Sequence, residues 1–184
     1  ARWSQPVPMI KGPVRIGAHT VLAGAEIKSG KDVAGKADVE HRVWVYEQGA
    51  WVCFEEILVP SGTVRPLSVS YENGFMAGDQ PGDSLWYSEN GDVREFRWTD
   101  EQRVDGKAGK IVAQTNAMDP WMASFSPAGR LGVCVTAAWD GPPAGSEQRS
   151  AGFFARNNAT FRYSRKIPEA TTPVMNRLWI FAFR

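Results

Sequence analysis

Along this chain hydrophobic residues alternate with polar ones far more often than they recur at helical spacing. Val39, His41, Val43 and Val45 alternate with Glu40, Arg42, Trp44 and Tyr46, the period of two expected of a strand that sends successive side chains to opposite sheet faces. Glu47-Gln48-Gly49 supplies a turn, and Ala50 to Val59 returns as a nearly continuous apolar run interrupted by Glu55-Glu56. A second hairpin is written in Ser84 to Trp98, SLWYSENGDVREFRW. Asn-Gly readily supplies the two positive-φ residues of a type I′ turn. Placing that turn at Asn90-Gly91 sets Glu89 opposite Asp92, Ser88 opposite Val93, Tyr87 opposite Arg94, Trp86 opposite Glu95 and Leu85 opposite Phe96. One face is then expected to carry Leu85, Tyr87, Arg94 and Phe96, and the other Trp86, Val93, Glu95 and Trp98.

The remaining chain reads the same way. Residues 1–13 form an extended arm, because Pro6, Pro8 and Pro13 remove donors and break helices and central strands. Residues 14–27 predict a strand with a bend or bulge at their internal glycines, and residues 28–38 a polar loop. Strands follow over 63–71, 110–116, 122–125, 129–139 and within 151–163, with polar loops over 78–83, 99–109 and 140–150. Leu178 to Phe183 closes the chain as an apolar strand suited to mid-sheet. No stretch holds apolar residues at i, i+3, i+4, i+7 over a dozen positions. The expected fold is therefore all-β: an antiparallel two-sheet sandwich of the jelly-roll kind with about eight to ten strands. A single sandwich domain over 14–184 would follow the 1–13 arm. Three turns share similar chemistry (Tyr46 to Gly49, Tyr71 to Gly74, Ser88 to Gly91), but spacings of 25 and 17 residues are not those of a fixed repeat.

Composition changes this picture little. A chain of 184 residues, 43% hydrophobic and 22% charged, can bury a real core as one domain. No run approaches the ~18 apolar residues of a membrane helix, and a start at Ala1-Arg2-Trp3 without Met reads as a processed or trimmed chain. The net charge of +1 gives no global pull towards nucleic acid, yet it is uneven. Residues 147–184 hold seven basic and two acidic residues, a net of +5, which leaves −4 on residues 1–146. Arg149, Arg156, Arg162, Arg165 and Lys166 make up a basic segment that could give weak nucleic-acid contact. Cys53 and Cys134 each sit in an apolar run, so both buried thiols and a disulfide remain open.

The search for catalytic chemistry is mostly negative. His19 and His41 are the only histidines, and no HExxH, CxxC, EF-hand, GxSxG or P-loop pattern is present. No catalytic residue, metal or cofactor is therefore expected. Glu55 and Glu56 are strand neighbours and point to opposite faces, so they cannot pair with each other. Either one with Glu95 could in principle flank a glycosidic bond, although a strand carboxylate is usually on the wet face. Asn158-Ala159-Thr160 is an N-glycosylation sequon.

Aromatic residues are more informative. Eight tryptophans are many for this length, and packing is the expected role of most. Trp44, out of phase with the Val39/Val43/Val45 face, and Trp86, opposite Glu95, are expected to be exposed. The segment WYSENGDVREFRW resembles a blade of the fucose-binding propeller lectins, in which an aromatic strand, a Gly turn and an Arg-Glu strand precede a Trp. The resemblance covers about 15 residues and implies sugar contacts at Glu95 and Trp98. A propeller would need the pattern repeated at even period, which this chain lacks. Two roles follow. One is structural assembly, most sharply a jelly-roll viral coat subunit making protein–protein contacts, including self-association. The other is a carbohydrate-binding module or lectin, with Trp44, Trp86, Glu95 and Trp98 as candidate contacts beside Asn/Asp/Gly-rich loops. A virion or extracellular setting fits either role.

Overall fold

The computed structural model describes residues 2–10, 15–29, 31–46, 49–65, 67–72, 80–99, 110–115, 120–138, 151–156, 161–167 and 169–184. All regular structure among them is strand: β1 (Val7–Ile10), β2 (Arg15–Ser29), β3 (Asp32–Tyr46), β4 (Trp51–Pro60), β5 (Leu67–Glu72), β6 (Ser84–Glu89), β7 (Asp92–Arg97), β8 (Ile111–Gln114), β9 (Trp121–Ser126), β10 (Leu131–Ala138), β11 (Ala151–Arg156), β12 (Phe161–Ile167) and β13 (Val174–Phe183). One large sheet has the order β1-β2-β3-β4-β13-β10-β9-β6-β7, and a smaller one the order β5-β12-β11-β8. The last strand lies in mid-sheet, as its apolar run predicts.

The chain divides into two compact units. The first comprises 1–68, 137–147 and 166–179, and the second 69–136, 148–165 and 180–184.

The first unit is built on a meander in which each of β1 to β4 pairs antiparallel with its chain neighbour. Hairpin β2–β3 runs from Arg15 opposite Tyr46 to Ser29 opposite Asp32. Its register shifts between Leu22 and Ala25, where the predicted bulge falls. Gly24 adopts φ 61° there and donates its N–H to Asp38 Oδ1 at 2.7 Å, a backbone that a Cβ would disfavour. Residues 32–38 are strand, which corrects the loop expected over 28–38. Lys28, Lys31 and Lys36 are exposed, so their charges reach water while Ala37 pairs with Ala25 inside. The N-terminal residues lie along β2. Trp3 bridges Leu22, Ser4 N–H donates to the Val21 carbonyl at 2.7 Å, and β1 pairs from Val7 opposite His19 to Ile10 opposite Ile16. Pro8 is accommodated because β1 is an edge strand. The core of this unit includes Trp44, Cys53, Leu58, Val64 and Leu178, all nearly inaccessible.

In the second unit, hairpin β6–β7 has the register its Asn-Gly turn predicts, pair for pair. Asn90 at φ 55° and Gly91 at φ 87° make the turn. Trp98 is the exception to the predicted faces. It packs edge-on against Phe96 with ring centres 5.1 Å apart, because residues two apart on an extended chain share a face. Strand β9 pairs with both β6 and β10, and β11 pairs with β8 and β12. Leu85, Met122, Val135, Phe153, Ala155 and Tyr163 are buried here.

Candidate functional site

Period two on β3 gathers one face of the first unit. Register places Arg15 beside Tyr46, Gly17 beside Trp44 and His19 beside Arg42, with Cys53 and Glu55 flanking Trp44 and Arg42 from β4. Trp44 was expected to be exposed, yet it is only 2% accessible. The cause is local. Gly17 has no side chain, so the indole lies flat on β2, where any Cβ would run into its ring and the Val43 carbonyl. The Arg15 guanidinium covers that indole at 4.4 Å from its centre and donates to Tyr46 Oη at 3.2 Å.

The two glutamates of this face are held tightly. Glu55 is 7% accessible. It accepts from Trp44 Nε1 at 3.0 Å on one oxygen and from Arg177 Nε at 2.8 Å on the other. A strand carboxylate is usually on the wet face, yet Glu55 and Glu56, which point to opposite faces, are both buried, Glu55 beside Arg177 and the Trp44 indole and Glu56 beside His41. Glu40 takes a two-pronged bond from Arg42, at 2.8 Å from Nε and 2.9 Å from a terminal nitrogen, and lies 3.0 Å from His19 Nδ1. The Arg42 hydrogen bond, followed by its charge and by His19, holds the Glu40 carboxyl below the usual carboxylate range. The Arg42 guanidinium is pushed up in turn, chiefly by the bond to Glu40.

Beside these ion pairs lie three half-buried rings. Tyr46 stacks on Trp51 with centres 4.7 Å apart and planes 18° apart. Trp179 lies 5.3 Å from Trp51 and 5.7 Å from Tyr46. The face thus combines an aromatic platform with partly accessible donors and acceptors from His19, Glu40 and Arg42. Sequence reasoning did not single out Trp51, Trp179, Arg15 or Arg177. The period-two pattern on β3 places Trp44 and Tyr46 on one face, but nothing local to residues 177–179 tells which strand they join.

The other face of the same strands carries His41, bonded through Nε2 to Glu56 at 2.8 Å and packed 4.5 Å from the Trp3 ring. His41 is therefore a satisfied side chain. Cys53 and Cys134 are both free thiols.

The hairpin residues singled out from sequence lie in the second unit. Trp86 and Glu95 are directly opposed, and Trp86 is half-buried. Glu95 is exposed and accepts from Ser84 Oγ and Arg97 Nε, both at 2.9 Å. Arg97 first, then Ser84 and with them the Trp86 side chain keep its carboxyl below the ordinary range. Trp98, proposed as a contact alongside them, is 2% accessible, faces away with Phe96 and has a buried indole N–H without a hydrogen-bond partner. In the basic segment, Arg165 is buried at 2%, on the same inward parity of β12 as buried Tyr163. It is unavailable as a surface cation, while Arg162 is half-buried. Arg156 and Lys166 fall on β11 and β12, and Arg149 and Asn158 lie outside the described residues. Among the described residues no three His, Cys, Asp or Glu side chains group to hold a metal ion, and no helix is long and apolar enough to cross a membrane.

No family model matches the chain, and no curated protein is similar to it in sequence. Solved structures are similar in fold. The Slr1438 protein of Synechocystis sp. PCC 6803 superposes with a TM-score of 0.55 at 9% identity, over 98% of this chain and 65% of that one. The α-N-acetylgalactosaminidase NagBb of Bifidobacterium bifidum, as a quadruple mutant, gives 0.51 at 10% identity, over 95% of this chain and 27% of that one. A Klebsiella pneumoniae subsp. pneumoniae protein assigned as an aldose 1-epimerase gives 0.51 at 8% identity, over 94% of this chain and 52% of that one. The chain thus spans 65%, 27% and 52% of these three. What it shares with them is the all-β fold with its large antiparallel sheet.

Proposed function

We propose that the face formed by β2, β3, β4 and the start of β13 binds a saccharide. The observation that carries this reading is the half-buried trio Tyr46, Trp51 and Trp179, set beside the His19–Glu40–Arg42 group. A sugar ring has one apolar C–H face and a rim of hydroxyls. Aromatic faces take the first, and fixed donors and acceptors take the second. Two fold neighbours are named for sugar chemistry, an α-N-acetylgalactosaminidase and an assigned aldose 1-epimerase, which supports a saccharide over other small ligands. Because the chain spans about half or less of those two, the proposal is one of binding and not of their reactions. The test is calorimetric titration with galactose, glucose and N-acetylgalactosamine, followed by Trp51→Ala and Trp179→Ala. Binding that both substitutions weaken supports the reading. Absence of heat with all three sugars, and no change in tryptophan emission, sinks it.

Assembly is the second reading, with the coat subunit as its sharpest form. It draws on the opposite face of the same strands, where Ile16, Val43 and Val45 are 63%, 40% and 47% accessible and Ile16 lies directly beside Val45. Mass measured in solution across concentrations tests it, and a 20.3 kDa species throughout counts against it. For the finer architecture, we propose that the second unit is a two-layer sandwich. Support comes from β6 approaching β8 and β11 approaching β9, each pair drawn from different sheets. In the first unit the consecutive pairing of β1 to β4 is a meander, whereas a jelly roll is wound from Greek keys.

A further inference from the structure

The second unit carries an open groove of about 720 Å³ lined by Phe125, Gly129, Arg130, Leu131 and Arg184, a volume within the range of ~300–1,000 Å³ typical of small-molecule sites. Phe125 is its aromatic lining residue. Phe125 stacks between Trp86 and Phe183, with centres 6.1 Å apart on each side and planes 10° apart. Register explains the row. Phe125 lies opposite Gly132 on β10, and the Phe183 ring fills the place where a Cβ at 132 would stand. Leu131 adds exposed apolar surface at 41% accessibility.

The charged side chains that line the groove are those of Arg130 and Arg184. Among the described residues, the Arg130 and Arg184 side chains form no hydrogen bond or ion pair, unlike Arg42, Arg94, Arg97 and Arg177. Arg130 also stands at φ 48°, left-handed backbone that L side chains other than Asn and Asp rarely adopt. Glycine would close this β9–β10 turn at lower cost. An arginine at a strained position, unpaired and at the mouth of an aromatic groove, is the pattern expected where strain is retained for binding.

We propose that this groove is a binding site for a carboxylate-bearing sugar, a hexuronate. The two guanidiniums take the carboxylate, and Phe125 packs against the ring's C–H face. Planar guanidinium suits a carboxylate because it donates two parallel hydrogen bonds, and the aromatic lining residue favours a ring over a bare anion. The choice of a sugar rests on the saccharide reading above, whereas the site uses only residues of the second unit.

Calorimetric titration of the full chain with glucuronate, glucose, benzoate and sulfate tests this, in parallel with Arg130→Gly and Trp179→Ala. The expected result is binding of glucuronate with at least tenfold preference over glucose, benzoate and sulfate. Arg130→Gly should weaken it about tenfold or more and leave thermal stability equal or higher, because glycine relieves the backbone. Trp179→Ala should leave it unchanged. Glucuronate binding lost with Trp179→Ala and kept with Arg130→Gly assigns it to the first unit's face and overturns the groove proposal alone. Equal affinity for sulfate or benzoate overturns the hexuronate assignment, and no glucuronate binding overturns the site. Neutral-sugar binding that Trp179→Ala abolishes would persist in both cases, so failure here and failure of the first unit's reading are separable.

Discussion

The same chemical kit occurs twice in this molecule. In the first unit Glu55 is bonded by an indole N–H and an arginine, and in the second Glu95 is bonded by an arginine and a serine beside an indole. They differ in burial: Glu55 is 7% accessible, and Glu95 is at the surface. Removing one partner of a buried pair strands the other, whereas water takes over for an exposed pair. The two sites therefore carry different weight. The Glu55 cluster fixes Trp44 and Arg177 on the sheet face that also carries the platform of rings. The Glu95 cluster dresses the outer strand of a hairpin whose turn and apolar residues already set its geometry.

Four experiments probe that contrast. The largest effect is expected from Glu55→Ala, which leaves Arg177 and the Trp44 N–H without their carboxylate. Chemical denaturation should show a loss of about 3 kcal/mol, and a loss below about 1 kcal/mol would mean that water replaces Glu55 freely. Next, Gly17→Ala forces the Trp44 ring off β2, and a decrease of about 1–3 kcal/mol is expected from overpacking. Near-UV circular dichroism should change with it, and an unchanged spectrum would contradict the close approach. Third comes acid sensitivity. The Glu40 carboxyl is held below the usual range by Arg42 and His19, so its contribution is complete above the unfolded value of about 4.3 and is lost as pH falls through the lower folded value. Glu40→Gln should flatten the acid limb of stability below about pH 4.3, and parallel acid limbs for the two proteins would refute the linkage. The smallest effect belongs to Glu95→Gln. Its denaturation midpoint should be indistinguishable from that of the parent, and a clear shift would show that the hairpin pair matters more than its exposure allows.

The contrast also marks what was legible in the sequence. The β6–β7 register could be read because Asn90-Gly91 and its flanking alternation are local signals. The β2 bulge could be read for a similar reason, since Gly24 interrupts an alternating run. Strand β3 from Asp32 to Asp38 was hidden, because lysines on an exposed strand look like a loop until pairing with β2 is known. The site was harder. Period two correctly grouped Trp44 and Tyr46, but the same rule misled on exposure, since the glycine that buries Trp44 lies on another strand. Arg177 and Trp179 join the face across 122 residues of sequence in the Glu55–Arg177 pair, and no local pattern encodes that contact. In the hairpin, Trp98 follows the parity of Phe96, a reading available from residue numbers alone.

The central claim is that the Tyr46–Trp51–Trp179 platform of the first unit binds a sugar. Its most direct test is calorimetric titration of N-acetylgalactosamine and galactose into the parent chain and into Trp51→Ala/Trp179→Ala, with circular dichroism verifying the fold. The account predicts saturable binding to the parent that weakens at least tenfold in the folded double variant. Undiminished affinity in that variant, or no binding to the parent, would contradict it.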